Sequence, residues 1–372
     1  MKIMLPYYND LTALLSTIYK ELELEIDYIG RPERKTIRLA VKFSPESWCF
    51  DTKLLLGQAI EGITRGDDII TLPGAWGGNN KNCFLGYLTK EILQRKLERI
   101  TKKKVRIWFF NVNAAEVMLS GYTAAYRNLS ELKQYSGTKF FRSKLIKALI
   151  LGTQKMKLAA DLKDKVLNSP DVIDKQKLFS ISEEFMGKMI FEADTLKTSR
   201  AIHASATKTI EHLERRELEQ KMAIGIVGDY AHTLFSLQPF FDMEKFLLSE
   251  DVSIKQPLSF FNYYSFLSDI YRKKNREQAR RILPQSVTGS DVVTVLSSVS
   301  LKDQVDGIIH VRTFGCMPEE VANEVLTSND FPPILSLSYD VHTTEENLKV
   351  RIEAFLDMLY QKNKAKRNNV RL

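Results

Sequence analysis

The first part of the chain alternates short apolar runs with longer stretches in which apolar residues recur every third or fourth position. Short apolar or β-branched runs predict buried strands, and the helical spacing predicts amphipathic helices. The predicted strands are KIMLP, EIDYI, TIRLAVKF, DDIITLP and KVRIWFF, and the predicted helices are LTALLSTIYKEL, TKLLLGQAIEGI and FLGYLTKEILQRKLERI. Strands that alternate with helices are typical of a parallel sheet with crossover helices.

The last part of the chain, from Met222 onward, repeats this plan. Its predicted strands are AIGIVGDY, VSIKQ, VDGIIHVRTF and PPILSLSYD, and its predicted helices cover residues 243–248, residues 260–281, PEEVANEVL and ENLKVRIEAFLDMLYQKN. Residues 113–221 have few strand signals and long helical ones, such as KLIKALILGTQKMKLAADLKDKVL. We therefore predict an α/β protein with two Rossmann-like parallel-sheet domains, residues 1–112 and 222–372, and a helical middle segment, residues 113–221.

The composition predicts a globular protein of about two domains. The chain has 372 residues, which is more than a single hydrophobic core usually organises. Of these residues 44% are hydrophobic, which is ample for burial in two cores. The start MKIMLPYYND has too short an apolar run for a signal peptide, and no apolar run approaches the roughly 18 residues of a membrane span. We expect a cytoplasmic protein with no membrane segment.

The net charge of +8 comes largely from three basic stretches. They are QRKLERITKKKVR (94–106), YRKKNREQARR (271–281) and QKNKAKRNNVRL (361–372). No zinc finger, helix-turn-helix or aromatic-basic RNA signature accompanies them, which argues against nucleic-acid binding. Each stretch is typical of a solvated helix face, and the first two are also candidate faces for docking an acidic protein partner.

The chain has three cysteines, and the predicted elements place each one between a strand and a helix. Cys49 follows TIRLAVKFSPESW, Cys83 follows DDIITLPGAWGGNNKN, and Cys316 follows VDGIIHVRTFG. Ligands bind beyond the carboxyl ends of strands in open α/β sheets, and helix N-termini there favour the thiolate that metals need. The placement predicts one shared metal site, against the competing interpretation that each thiol is a small buried hydrophobe. An odd number of cysteines also argues against a secreted disulfide framework.

Local sequence supports helix starts at two of these cysteines. Pro318 is suited to the first helical position after Cys316, with Glu319 in the first turn, and Asp51 is a predicted N-cap just after Cys49. Cys83 ends a loop rich in glycine and asparagine, where backbone N–H groups can approach a cluster's sulfides, although such loops are usually only turns.

Several blocks of the sequence resemble the cysteine-bearing subunits of the 2-hydroxyacyl-CoA dehydratase and double-cubane cluster protein superfamily. The blocks are SPESWC, the glycine-rich loop that ends in CFLGY, GIVGDY, DGIIHVRTFGCMPEEVA and PPILSLSYDVHTTEENLKVRIEAFLDML. The likeness is greatest to short stand-alone members described as activase-related, and it covers nearly the whole chain.

The resemblance implies a cofactor and partners. It implies that Cys49, Cys83 and Cys316 are the three protein ligands of a 4Fe-4S cluster held between the two domains, either one cubane or a sulfide-bridged double cubane. It also implies an ATP-hydrolysing iron-sulfur activase that delivers one low-potential electron under anaerobic conditions, and a small-molecule or acyl-CoA substrate. A homodimer or a complex with a related subunit is compatible with this family.

Three thiolates leave one iron of such a cluster without a cysteine. An iron with an exchangeable position can bind substrate, which favours a catalyst that reduces or dehydrates a small molecule. Two alternatives stay open: a non-catalytic electron-transfer or cluster-carrier partner of a larger dehydratase or reductase, and a zinc-stabilised structural protein. His232, His310 and His342 are candidates for the fourth ligand, although a single histidine in an α/β core is more often a structural hydrogen bonder.

The chain also departs from the family pattern. Lys81 and Asn82 stand where relatives tend to have Gly-Pro, and Val341 replaces a common Glu. These departures leave the substrate undefined, and the sequence assigns no catalytic residue. The GIVG of residues 225–228 has only half of a dinucleotide fingerprint and is typical of a tight strand-to-helix turn.

Overall fold

Two separate parallel β-sheets organise the chain in the computed structural model. The structure describes residues 1–73, 90–110, 129–218, 221–234, 241–262, 277, 281–283, 290–328 and 330–370. Each sheet has four strands, and all pairings within the two sheets are parallel. The predicted α/β class with two parallel-sheet domains is confirmed.

The first sheet is built from the N-terminal part of the chain. Its strands are β1 (Lys2–Pro6), β2 (Glu25–Gly30), β3 (Ile69–Pro73) and β4 (Arg106–Phe110), and the helices between them are α1 (Leu11–Glu21), α2 (Arg34–Phe43), α3 (Phe50–Arg65) and α4 (Lys90–Thr101). The strand order is β2-β1-β3-β4. Ile3, Met4 and Leu5 are fully buried, as expected for a strand in the middle of a parallel sheet that is covered on both faces.

The prediction of a strand over TIRLAVKF is wrong, because this segment forms helix α2. Thr36, Ile37 and Ala40 lie on its buried side at helical spacing, and the Glu33 backbone N–H donates to Thr36 Oγ1 at 3.1 Å, which helps to begin the helix. The alternation of β-branched and basic residues favours a strand locally, and packing against α3 decides otherwise. A Cβ at Gly57 of α3 would lie 2.3 Å from the Thr36 carbonyl oxygen, so this glycine permits the close contact between the two helices.

The described part of the middle segment is helical, as predicted. It contains a short 3-10 helix (Glu131–Gln134) and helices α5 (Phe141–Leu167), α6 (Lys175–Phe191) and α7 (Leu196–Glu211). Helix α5 packs closely on α1, since a Cβ at Gly152 would meet Leu14 Cδ1 at 2.5 Å. The predicted domain boundaries at residues 112 and 221 stay predictions. Among the helices that the structure describes, none is both long enough and apolar enough to cross a membrane.

The second sheet is built from the C-terminal part of the chain. Its strands are β5 (Met222–Gly228), β6 (Val252–Lys255), β7 (Gly307–Thr313) and β8 (Ile334–Tyr339), and its helices are α8 (Tyr230–Thr233), α9 (Met243–Ser249), α10 (Ser290–Leu301), α11 (Met317–Thr327) and α12 (Glu345–Val370). The strand order β6-β5-β7-β8 corresponds to the order of the first sheet. The helix predicted over residues 260–281 lies mostly outside the described residues.

A buried lysine in α5 makes the stability of the fold depend on pH. The side chain of Lys155 is fully buried, and its Nζ has no hydrogen-bond partner among the described residues. Burial, followed by the charge of Lys20, lowers the pKa of Lys155 to about 8. Between about pH 8 and 10.5 the unfolded chain therefore binds more protons here than the folded protein, so this lysine makes stability rise with pH in that window.

We expect Lys155→Met to increase the free energy of unfolding at pH 7 by about 2 to 3 kcal/mol, because the variant no longer buries a charge. The gain should shrink as the pH rises through 8 to 10.5, where the wild-type amine is neutral in the folded state. Chemical denaturation at several pH values measures both effects. Lys147→Met, on an exposed position of the same helix, is the control and should show no such pH dependence; equal pH profiles for the two variants would contradict the assignment.

Candidate metal centre

Cys316 lies at the strand-to-helix junction that the sequence predicts. It directly follows the Phe314–Gly315 turn after β7, is half-buried, and is the N-cap of α11. Gly315 has a φ of 81°, a conformation that glycine adopts without steric strain, and this turn reverses the chain from strand to helix. Helix α11 begins at Met317, so Pro318 occupies the second helical position rather than the first. The thiol therefore sits at the positive end of a helix.

Cys49 also begins a helix, but it does not follow a strand. It is the half-buried N-cap of α3, and the element that precedes it in the chain is helix α2, not a strand. Asp51, which the sequence predicts as the N-cap, lies instead in the first turn of α3. The sulfur of Cys49 lies 3.1 Å from Thr52 Oγ1. The prediction of a helix N-terminus at this cysteine is correct, and the prediction of a preceding strand is wrong.

The third cysteine, Cys83, lies outside the described residues. The predicted meeting of all three thiols therefore stays a prediction. The described residues include two of the three cysteines, Cys49 and Cys316.

Hydrogen bonds join the two sheet domains where these helices begin. Thr313, the last residue of β7, donates from Oγ1 to Asp51 Oδ1 at 2.6 Å. Further along the boundary, the backbone N–H groups of Phe260 and Phe261 donate to the buried carboxylate of Asp10 at 3.2 and 2.9 Å. The first bond holds the start of α3, with Cys49, against the strand end that leads into Cys316.

The loop after β5 brings a carboxylate and an imidazole to the same place. Asp229 follows Gly228 and is the N-cap of α8, with Oδ1 accepting from the His232 backbone N–H at 2.9 Å. The same oxygen lies 2.8 Å from Nδ1 of His232, and both residues are almost fully buried. The sequence signals His232 only as one of three histidines, and it gives no signal for Asp229 beyond its position after a strand-to-helix turn.

These buried groups shift one another's pKa values. Burial, followed by the charge of Asp229, raises the pKa of Asp51 to about 7. Burial opposes charge on both Asp229 and His232, but their mutual attraction prevails, so the pKa of Asp229 is lowered and that of His232 is raised. Burial, followed by the charges of Glu319 and Asp229, raises the pKa of the Cys316 thiol, with Asp51 contributing as well. Cys316 and the first turn of α3 are thus close enough to interact electrostatically.

A second buried pair fixes the start of α11. Glu319 Oε2 lies 3.0 Å from His310 Nε2 and accepts from Thr294 Oγ1 at 3.0 Å, and all three side chains are fully buried. His310 Nδ1 lies 3.4 Å from Asn323 Oδ1, so both ring nitrogens have protein partners. His310 is a structural histidine here. His342 is exposed in the turn after Asp340, which leaves His232 as the candidate that lies in the interior with Asp51.

The described cysteines share two features of placement. Both lie at helix N-termini, where backbone N–H groups favour anionic sulfur, and both are half-buried. The raised pKa of Cys316 means that its proton must be displaced by a cation before the sulfur binds as a thiolate. Neither observation tests the contribution of Cys83.

Comparisons with known proteins do not assign the chain to a family. No protein-family model matches the chain, and no curated protein matches it. The functional interpretation therefore rests on the fold, on the positions of the cysteines and on the blocks that surround them.

Proposed function

We propose that this chain is an iron-sulfur protein of the 2-hydroxyacyl-CoA dehydratase type. In this proposal Cys49, Cys83 and Cys316 bind a 4Fe-4S cluster, an ATP-hydrolysing iron-sulfur activase supplies a low-potential electron, and one iron open to exchange takes part in reducing or dehydrating a small substrate. A cytoplasmic, anaerobic setting belongs to the same proposal.

One observation carries the proposal. Two cysteines from different sheet domains cap the N-termini of α3 and α11, and the 2.6 Å hydrogen bond from Thr313 to Asp51 links the start of one helix to the strand that leads to the other. Of the two cysteines, Cys316 follows a strand end, where ligands bind in open α/β sheets. The surrounding blocks are also those in which the resemblance to the family lies.

The protein's own residues would hold and shield the bound group. The cluster, when bound, supplies one-electron chemistry. The start of α3 is fixed by Asp51, and the start of α11 is fixed by Glu319 through His310 and Thr294, so neither thiol depends on a loose loop for its position. Trp48, directly before Cys49, is 9% exposed.

Two features near the candidate cysteines suit docking of the electron donor. The basic stretch of residues 94–106 comes close to Cys49 at one end, where Lys96 Nζ lies 5.2 Å from the ring centroid of Trp48, and leads away at the other, where Lys103 Nζ donates to the carbonyl oxygen of Ile63 near the C-terminal end of α3. Phe314 and Met317 are 65% and 64% exposed on either side of Cys316. We propose that the activase contacts this pair. The second basic stretch, residues 271–281, lies largely outside the described residues.

Anaerobic purification tests the proposal. We expect a brown protein with about four irons and four sulfides per cluster and an EPR signal after reduction with a strong reductant. If one iron is open to exchange, adding cyanide or a candidate acyl-CoA should change that signal. A spectrum that no ligand perturbs would favour the non-catalytic electron-transfer alternative.

Cysteine variants locate the site in the same experiment. Cys316→Ala should lose most of the iron and sulfide, whereas Met317→Ala, the exposed neighbour, should retain them. A colourless protein that contains zinc would overturn the iron proposal and leave the zinc-stabilised structural protein.

A further inference from the structure

Three side chains other than the cysteines form a compact group of potential metal ligands. Asp51, Asp229 and His232 each offer one ligand atom, and these atoms all lie within 4.8 Å of one another. Asp51 comes from the first turn of α3, whereas Asp229 and His232 come from the loop and short helix after β5. The group therefore spans the boundary between the two sheet domains.

The three residues of this group differ in their exposure to solvent. Asp229 is 4% exposed and His232 is 1% exposed. Asp51 is partly exposed as a residue, whereas burial of its carboxyl raises the pKa of that group.

Unpartnered polar atoms point to a missing ligand. Asp229 uses Oδ1 for its hydrogen bonds, and its buried Oδ2 has no hydrogen-bond partner among the described residues. Tyr339 is fully buried, its ring centroid lies 4.6 Å from that of His232, and its hydroxyl likewise has no partner in the described part of the chain. A buried carboxylate oxygen without a partner is unfavourable by several kcal/mol at most sites, and native proteins avoid it.

The group accommodates a divalent ion electrostatically. Without an ion, the attraction between Asp229 and His232 offsets their charges; an ion bound to the neutral imidazole takes the place of the imidazolium charge, and the carboxylates of Asp51 and Asp229 then offset the charge of the ion. Glu319, a carboxylate that interacts electrostatically with both Asp51 and Asp229, already has His310 and Thr294 as hydrogen-bond partners. A divalent ion between Asp51 and Asp229 would neutralise both and would use the unpartnered oxygen.

We infer that Asp51, Asp229 and His232 form a binding site for a divalent transition-metal ion that accepts oxygen and imidazole ligands, such as Mn²⁺, Fe²⁺ or Zn²⁺. Two carboxylates and one imidazole are the donor set these ions take, and they are not the set of a cubane cluster, which takes thiolates. Three protein ligands leave coordination positions for water or for an oxygen of a substrate. The site uses none of the three cysteines, so it goes beyond the proposed function and does not rest on it.

Titration of the chelator-treated, full-length protein with Mn²⁺ tests the site. We expect one tightly bound Mn²⁺ per chain, measured by loss of the EPR signal of free Mn²⁺ and by calorimetry. Asp229→Asn and His232→Gln should weaken binding on the order of 100-fold or more, because each removes a ligand. Asp242→Asn is the matched control: Asp242 also caps a helix, α9, through its side chain, and its replacement should leave Mn²⁺ affinity unchanged.

Further measurements keep the test decisive if a buried variant folds poorly. Asp51→Asn, at the partly exposed side, should weaken Mn²⁺ binding while leaving the far-ultraviolet circular dichroism spectrum as in the wild type. Wild-type protein that contains neither iron nor sulfide should bind Mn²⁺ fully, which separates this site from the iron-sulfur proposal. Failure of the wild type to bind Mn²⁺ at millimolar concentration, or equal affinity in all the aspartate variants, would overturn the inference.

Discussion

Removing the bound cluster is expected to lower the melting temperature of the wild-type protein by roughly 5 to 15 °C. A ligand that binds only the folded state stabilises it by about 3 to 4 kcal/mol at concentrations 100 to 1,000 times its dissociation constant, and domains of this size change by a few degrees per kcal/mol. The proposed ligands come from both sides of the domain boundary, Cys49 and Cys83 from one and Cys316 from the other, so binding should also hold the domains together.

Cys316→Ala should remove most of this difference. Its apo and holo preparations should melt within a few degrees of each other, since the variant has lost the only cysteine of the second domain. Differential scanning calorimetry under anaerobic conditions measures both proteins, with Met317→Ala as the control that keeps the full difference. Equal melting of apo and holo wild-type protein would contradict a bridging cluster.

The sequence predicts Cys316 well because the rules for helix starts act locally. Pro318 and the acidic residues of the first turn of α11 indicate where the helix begins, and the apolar run of β7 indicates where the strand ends. Both signals depend only on neighbouring residues. The same rules predict the helix after Cys49.

The sequence misassigns α2 because packing between distant segments decides its form. Thr36, Ile37 and Val41 are β-branched and favour a strand by themselves. The helix forms because Thr36 and Ala40 fit against Gly57, and nothing in the local pattern reveals that contact.

For a similar reason, the spacing of residues along the sequence could not predict that Asp51 and Asp229 belong to one candidate metal group. Asp51 and Asp229 belong to different domains, and only the way in which the two sheets pack brings them to one place. The sequence has a usable signal nonetheless: Asp229 follows a glycine at the end of a predicted parallel strand, where ligands commonly bind. Treating each aspartate in that position as a candidate would have added Asp229 to the predicted site.

The glycine before Asp229 is the position at which a single methyl group should do the most damage. Gly228 ends β5 with a φ of 141°, and a Cβ there would lie 1.8 Å from the Val311 carbonyl oxygen of β7. Real atoms cannot approach that closely, so β5 and β7 would have to separate where their last residues pair. The same carbonyl oxygen accepts the Asp229 backbone N–H at 3.1 Å, so the displacement would reach the candidate metal group.

We expect Gly228→Ala to lower the free energy of unfolding by more than about 4 kcal/mol, or to prevent folding, because it combines an unfavourable φ with a backbone clash in the core. Two glycine controls separate these causes. Gly66→Ala, with a φ of 90° and open space around its Cβ, should lose only about 1 to 2 kcal/mol from backbone strain. Gly187→Ala, within α6 and with open space, should gain about 0.5 to 1 kcal/mol.

Chemical denaturation of the three variants measures these differences. For any Gly228→Ala protein that folds, Mn²⁺ titration then reports whether Asp229 has moved, and we expect its affinity for Mn²⁺ to fall together with stability, whereas both control variants keep the wild-type affinity. A Gly228→Ala protein as stable as Gly66→Ala would show that β5 and β7 do not approach each other closely at this point. The placement of Asp229 beside the Val311 carbonyl oxygen would then be wrong as well.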